Sequence, residues 1–536
     1  MDKHPLGDFL DFVASKHGEE NWVTVYKRIS QPDSSEDGSL YCALVTEDRT
    51  ERAMGEASWD LMLGSGGPGF VSTFDDGVET NTYLPQSHEG FRHLVLYRDF
   101  HGRKDSYLEV LEEFRLIHNL YLDAKTGIYF DFDESGDEVE VIRLSRDEVK
   151  IRRSYLRAFM AATQMNLLLY FELTRHFQAP HTTADTIQSD NVRASVYSGA
   201  SYAKGYESFV RALGKKLIRC EPIERCGIWP FERRTKHTDF IIGGDVDAPE
   251  LFTCDPDKLA NYFGANPDAP HYLTPVFFKK EVMQKYYGSS DYEIRDGHLS
   301  RRGAWSLRFD NNSSSHISVF LGDLGTDLPE KEQTYWRSFN LVPDGRKISR
   351  TNYERSFLGN FFDPQNPEHT FKHKFSQLQT EWADEFGWPL FLPLTGRDEH
   401  FFDSIRSMLA NEQSEFDSLI LSIAKVTIDS VNVKALRDYL QDRNAESKSI
   451  VLLEALFSKL NIPHADDITA FLRGVQSVRS TGVAHRKGTE YEKVIAKLNI
   501  DDENYQAEFD QILAKFVFLF DALLQSLQSE GGSAIA

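Results

Sequence analysis

From Glu399 onward, apolar residues recur at intervals of three and four with almost no strand composition, and this periodicity constrains the fold more than any other feature. A stripe at that spacing lies on one side of an α-helix and has to be buried against another element. Ile405, Leu409, Phe416, Leu419, Ile420, Ile423 and Val426 mark a first helix over 399–428, and Val433–Leu440 reads as a short second one. Ser447 stands as the N-cap of a helix over Ser447–Leu460, which stops before Asn461 and Pro463. Asp466 or Asp467 caps a further helix starting at Ile468, and Tyr505, Phe509, Ile512, Phe516, Phe520, Leu523, Leu524 and Leu527 mark a last one over 505–528. Four main helices with one-sided stripes and short connections predict an all-α helical bundle over 399–530.

A chain of 536 residues exceeds what one hydrophobic core supports. Upstream of the bundle the composition is that of α+β regions. WVTVYKRI (22–29), LYCALVT (40–46), GFRHLVLYRDF (90–100) and the two halves of GIYFDFDESGDEVEVIRL (127–144) read as strands. Leu108, Leu111, Phe114, Ile117 and Leu120 predict a helix over 106–121, and a long helix is expected from Arg146 through the apolar stretch 155–177. QAPHTTADTIQSDN (178–191) reads as a linker between an α+β N-terminal domain (1–185) and a strand-rich α+β middle domain (192–375). In the second, 251–287 predicts a helix, a Pro-rich turn and another helix, and 305–325 a β-hairpin around Asn311–Ser315.

The net formal charge of −23 repels free polyanions at long range, so a nucleic-acid site here has to be a local basic cleft. The four cysteines lack the C-x2–4-C spacing of a zinc knuckle, and we expect reduced thiols, no metal and no cofactor. The first residues hold no apolar signal-peptide core, and no run approaches the length of a membrane helix, so a cytoplasmic protein with no membrane partner is expected.

Chemistry concentrates in ITAFLRGVQSVRSTGVAHRKG (468–488). Ile468, Phe471, Leu472, Val475 and Val478 form the buried stripe; Arg479 and Ser480 follow, and His485 comes next, flanked by Arg486 and Lys487. Arg479 and His485 stand as R-x5-H late in a helical bundle, and over 399–530 the chain resembles the HEPN superfamily of ribonucleases. Ser480 stands where many members carry a polar residue such as Asn; a serine keeps one hydroxyl and lacks the second group of an amide.

The resemblance implies metal-independent RNA cleavage that leaves 2′,3′-cyclic phosphate ends. His485 would act as acid or base, since an imidazole titrates near neutrality. Arg479 would grip the scissile phosphate and stabilise charge developing on it. Ser480 would be an auxiliary hydrogen bonder, with Arg473, Arg486 and Lys487 as RNA contacts. On a continuous helix six positions mean roughly 9 Å of rise and roughly 120° of rotation, which separates Arg479 from His485. Either the helix breaks at Thr481–Gly482 or two copies meet, and the resemblance favours a homodimer. Positions 473–497 carry six Lys and Arg against two Glu, a basic island of net +4. Such architectures imply a bacterial toxin or antiphage effector with a phage-derived or nucleic-acid trigger. The alternative is a non-catalytic sensor or scaffold that dimerises through the bundle, with Arg479 and His485 only complementing a helix dipole.

Other features carry blander readings. GSGGPGF (64–70) lacks the G-K-[ST] ending of a phosphate loop. Asp131, Asp133, Asp137 and Glu138 read as an acidic hairpin tip rather than a calcium loop. HGRKD (101–105) reads as a solvated turn, and FERRTKH (231–237) as a candidate contact surface. Most rings among Trp229, Phe231, Tyr262, Phe263, Tyr286, Tyr287, Trp305 and Trp336 are expected in the core, and no spacing singles out Asp245, Asp310 or Asp323.

Overall fold

The computed structural model describes residues 5–29, 35–55, 69–84, 90–232, 235–287, 289–444, 446–482, 495, 500–501 and 503–531. The chain forms two compact units, Met1–Thr235 and Lys236–Ala536. Mixed α+β content with a helical C-terminal region is as the sequence leads one to expect.

The strands of the first unit are β1 (Trp22–Ile29), β2 (Glu36–Thr46), β3 (Gly69–Asp75), β4 (Val78–Leu84), β5 (Phe91–His93), β6 (Val95–Arg98), β7 (Tyr107–Val110), β8 (Tyr121–Asp123), β9 (Ile128–Phe132), β10 (Glu138–Leu144), β11 (Glu148–Arg152), β12 (Met165–Phe177), β13 (Ala184–Gln188), β14 (Val192–Ala200) and β15 (Ser208–Ile218). Its helices are α1 (Gly7–Ser15), α2 (Glu47–Gly55), α3 (Glu112–Ile117) and α4 (Arg153–Thr163). An 11-stranded antiparallel sheet runs β13-β14-β15-β12-β2-β1-β11-β10-β9-β8, with β5 added on β2. The hairpin β1–β2 thus lies in the middle, and later strands are laid on both of its sides.

The stretch expected as one long helix is instead α4 followed by β12. Gln164 adopts the left-handed conformation (φ 51°) and ends α4. The next thirteen residues pair with β2 from Met165–Thr46 to Arg175–Glu36, and with β15 from Leu167–Ile218 to Phe177–Ser208. Leu167 and Leu169 pack with Phe159 and Phe114, Phe171 and Leu173 pack with Leu10 and Val13 of α1, and Leu168 packs with Ala53 of α2. A strand with apolar cover on both faces has no period-two alternation, so its run of apolar residues imitates a buried helix.

Two further expectations are revised here. The helix over 106–121 is shorter than expected, with β7 in its first part and α3 in its second. The linker over 178–191 holds β13, a polar edge strand paired with β14, which leaves no boundary there. Only Ile187 of β13 packs against the core and its other residues are exposed, so the strand carries no apolar alternation to mark it.

The second unit holds β16 (Asp239–Gly244), β17 (Pro249–Thr253), β18 (Pro275–Phe278), β19 (Tyr292–Arg295), β20 (His298–Arg301), β21 (Trp305–Arg308), β22 (Ile317–Phe320) and β23 (Asn340–Leu341). Its helices begin with α5 (Gln284–Tyr287), α6 (Leu321–Asp327), α7 (Glu330–Arg337) and α8 (Arg350–Ser356). Over 251–287 the expected first helix is replaced by β17 and a 3-10 turn at Pro256–Lys258, and the second survives as Lys280–Met283 and α5. The expected hairpin over 305–325 does not form: β21 pairs with β20, β22 pairs with β18, and a single Asp310–Ser318 bridge links the two arms. Trp336, Tyr286 and Trp305 are in the core of this part, whereas Trp229, Tyr262 and Phe263 are exposed. Gly325 in α6 permits a close approach, because a Cβ there would sit 1.8 Å from the Cys254 carbonyl oxygen. Gly325→Ala should therefore destabilise the protein by about 1–3 kcal/mol in a denaturant titration, the usual cost of overpacking.

The remaining helices are α9 (Pro367–Phe386), α10 (His400–Ser404), α11 (Gln413–Val426), α12 (Val433–Leu440), α13 (Ser449–Lys459), α14 (Ala465–Gly482) and α15 (Tyr505–Gly531). One core runs through them, including Phe371 and Trp382 of α9, Phe416 and Ile423 of α11, Phe457 of α13, Leu472 and Val478 of α14, and Phe516 and Phe520 of α15. The helical core therefore begins at Pro367 rather than near residue 399. Asn366 caps α9 by accepting from the Glu368 amide, Pro367 occupies the first turn, and Gly387 ends the helix at φ 76°. The single helix expected over 399–428 is split into α10 and α11, with Ile405 and Met408 buried in the connection. Helix α13 starts at Ser449 with Lys448 in the cap position, one residue past the cap expected at Ser447, and α14 starts at Ala465 with Asp466 and Asp467 already in its first turn. Among the described residues no helix is long and apolar enough to cross a membrane.

Candidate functional site

Helix α14 buries Ile468, Leu472, Val475 and Val478, and this stripe carries Arg479 and Ser480 to the edge of the core in the last described turn. Arg479 Nη2 donates to Asp429 Oδ2 at 2.8 Å. Asp429 follows the end of α11, where its own amide donates to the Ala424 carbonyl, so the carboxylate is offered from a fixed turn. Both side chains remain about one-third exposed. A guanidinium has five N–H donors, so one carboxylate does not exhaust it. Ser480 Oγ donates to the Gln476 carbonyl one turn back, at 2.8 Å, which directs its hydroxyl along its own helix.

Arg473, expected to contact RNA, lies on the exposed side of α14 and donates to Glu454 of α13 at 2.6 Å. Two of the six cations in the basic island are thus faced by carboxylates from elsewhere in the bundle, Asp429 and Glu454. The island's charge in space is lower than its charge in sequence. His485, Arg486 and Lys487 lie outside the described residues, as do Lys493 and Lys497. The helix is described up to Gly482, so Arg479 and Ser480 are placed and their meeting with His485 is not.

A second polar assembly joins residues that are far apart in the sequence. Glu368, buried in the first turn of α9, accepts from the Ser407 amide at 3.0 Å and from the Tyr287 hydroxyl at 3.2 Å, with Lys372 Nζ at 3.5 Å. Burial alone would raise its pKa; Lys372, His369, the Ser407 amide and the Tyr287 hydroxyl outweigh burial and lower it. Burial lowers the ammonium of Lys280 against the pull of Asp510 and Glu368, and burial raises the carboxyl of Asp510. Among the described residues Oδ1 of Asp510 has no hydrogen-bond partner. These groups come from positions 280, 287, 368, 407 and 510, and no local spacing announces them. They fasten α5 and its preceding turn to α9 and α15, an architectural task.

The remaining candidates are engaged in structure. Asp310 accepts from Ser349 N and Oγ at 2.7 and 2.8 Å and from the Ser318 hydroxyl, and Asp245 caps its own turn through the Asp247 and Ala248 amides. Burial raises the Asp323 carboxyl beside Tyr272 and Asp327. Asp133 receives the amides of Ser135 and Asp137, a hairpin tip without clustered carboxylate oxygens, and Asp131 accepts from the Tyr155 hydroxyl. The thiol of Cys254 is buried, donates to Gln333 and is pushed up to about 12. Among the described residues no group of three or more His, Cys, Asp or Glu side chains is arranged to hold a metal ion. Arg233 and Arg234 of FERRTKH, and 64–68 of the glycine-rich stretch, lie outside the described residues. Compared with family models, curated proteins and solved structures, the chain matches none.

Proposed function

We propose that the C-terminal bundle is a metal-independent endoribonuclease of the HEPN type, acting as a homodimer and regulated by the α+β regions as part of a toxin or antiphage effector. The observation that supports it is the position of Arg479: last turn of a core helix, partly exposed, steadied by Asp429 and three residues before the end of the described helix. A steadied guanidinium contributes oriented donors to a phosphate without first losing rotamer freedom. On a helix that ran on unbroken, six positions would turn a side chain by roughly 120°, so the reading calls for two chains that supply complementary groups to one site. His485 takes the proton of the attacking 2′-hydroxyl or gives one to the leaving 5′-oxygen, and Arg479 stabilises the phosphorane.

The test is incubation of the purified chain with 5′-labelled RNA in excess EDTA, with product ends mapped and the solution mass measured. Cleavage with 2′,3′-cyclic phosphate ends by a dimer is expected. Strict dependence on a divalent metal, or 3′-hydroxyl ends, would overturn the assignment.

The Arg479–Asp429 pair also favours a second reading, a non-catalytic sensor or scaffold in which Arg479 only ties α14 to the end of α11. The two readings separate on Arg479→Ala. As a partly exposed tie it contributes ~0–1 kcal/mol, so stability changes little on either reading. RNA cleavage falls about 10²–10³-fold only if Arg479 acts on phosphate.

A further inference from the structure

Within the second unit, apart from the bundle, a cleft of about 660 Å³ opens between β18 and the segment leading into α8. Its floor is apolar, including Phe277 and Ile348, and its rim carries Arg346, Lys347 and Arg350 with Tyr353 beside them. The rim is fixed by its backbone. His316 Nε2 bonds the Lys347 carbonyl at 3.0 Å, Ser349 is held on Asp310 through both its amide and its hydroxyl, and Arg346 Nη1 donates to the Val342 carbonyl at 2.9 Å. With the main chain pinned, the Lys347 side chain is left to solvent, and the largely exposed Arg350 guanidinium lies over the Phe362 ring at 5.2 Å.

The three cations are weakly compensated. Arg346 and Arg350 stand 3.7 Å from Asp344 and 3.6 Å from Glu354, longer than a charge-assisted hydrogen bond. Lys347 has no ion-pair partner among the described residues. In a chain of net charge −23, a pinned stretch of three cations and no acid, RKISR (346–350), is a local attractor for anions. The aromatic element is equally specific. The Tyr353 ring is half exposed and lies parallel within 24° on Phe357 at 5.6 Å, which backs it as a flat platform.

We propose that this cleft binds a nucleoside phosphate, with the phosphate among Arg346, Lys347 and Arg350 and the base on Tyr353 over the apolar floor. A base has an apolar face for the platform, and the phosphate takes the fork of a guanidinium. The same chemistry is offered by a free nucleotide and by the terminal residue of an RNA strand. The site shares no residue with Arg479 or His485, so it stands or falls independently of the ribonuclease reading.

The test titrates the full chain with AMP, ATP, a 5′-phosphorylated RNA hexamer, the same hexamer unphosphorylated, and inorganic phosphate. Lys347→Glu/Arg350→Glu and Tyr353→Ala are titrated in parallel, both at exposed positions and both checked for unchanged melting. We expect saturable binding of AMP and ATP, or of the phosphorylated hexamer, at least about tenfold tighter than inorganic phosphate, a tenfold change being ~1.4 kcal/mol. Charge reversal should weaken it at least tenfold and flatten its salt dependence, whereas Tyr353→Ala should weaken it with the salt slope unchanged. Free nucleotides binding alone identifies a small-molecule site, and the phosphorylated hexamer binding at least as well identifies a strand end. The proposal is overturned if no nucleotide probe binds at millimolar concentration, if phosphate binds as tightly as AMP, or if charge reversal leaves binding unchanged.

Discussion

His485→Ala should lower the single-turnover rate of RNA cleavage by about 10²–10⁴-fold, the usual contribution of a positioned general acid or base. The imidazole is the one group of the R-x5-H motif able to take and give a proton at neutral pH, and neither a guanidinium nor a serine hydroxyl replaces it. Because the helical core is made by residues such as Phe416, Leu472, Phe516 and Phe520, removing the ring should leave the melting temperature and the solution mass unchanged. A rate equal to wild type in a folded variant would show that the motif is not the catalytic centre. A loss of rate together with dissociation would show instead that His485 holds the dimer, so sedimentation belongs beside the kinetics.

Glu368→Ala should destabilise the protein by about 3–5 kcal/mol in a denaturant titration, the range for removing one partner from a buried charged network. Its carboxylate is 3% exposed and serves the Ser407 amide, the Tyr287 hydroxyl and Lys372 at once, so deletion strands buried polar groups on three segments. The charge has its own signature. The pKa of Glu368 is lower folded than unfolded, so the unfolded chain binds its proton more readily in acid. Its stabilisation is complete above the ordinary glutamate value of about 4.3 and is lost as pH falls through the depressed folded value. Asp510 works in the opposite sense, because burial raises its value and favours the folded state in acid. Glu368→Gln should therefore flatten the acid limb of stability and Asp510→Asn should steepen it. Equal acid limbs in wild type and Glu368→Gln would show that folding leaves the pKa of this carboxylate unshifted.

How much was legible follows the range of the interactions involved. Strands β1, β9 and β10 follow from local composition, as does α12, whose bounds at Val433–Leu440 are those the sequence predicts. Their apolar spacing and turn residues act within a few positions. Helix α9 has local boundary signals, Asn366-Pro367 at its start and Gly387 at its end, but the aromatic residues spread over it blur the apolar stripe that would mark it as a helix. The 165–177 run was not readable locally. Its apolar residues satisfy a buried helix as well as a strand covered on both faces, and only the partners β2 and β15 decide between them.

The same division holds at the candidate site. The sequence by itself determined that Arg479 would leave a buried stripe at the end of a bundle helix, because helical periodicity is a property of the chain's own spacing. The partners of that residue were decided only by the tertiary structure. Asp429 is fifty positions away, and Glu454 is brought to Arg473 from another helix, so the basic island is partly neutralised in space. Charges sum along a sequence by position but act through distance, and only the packed bundle sets the distances.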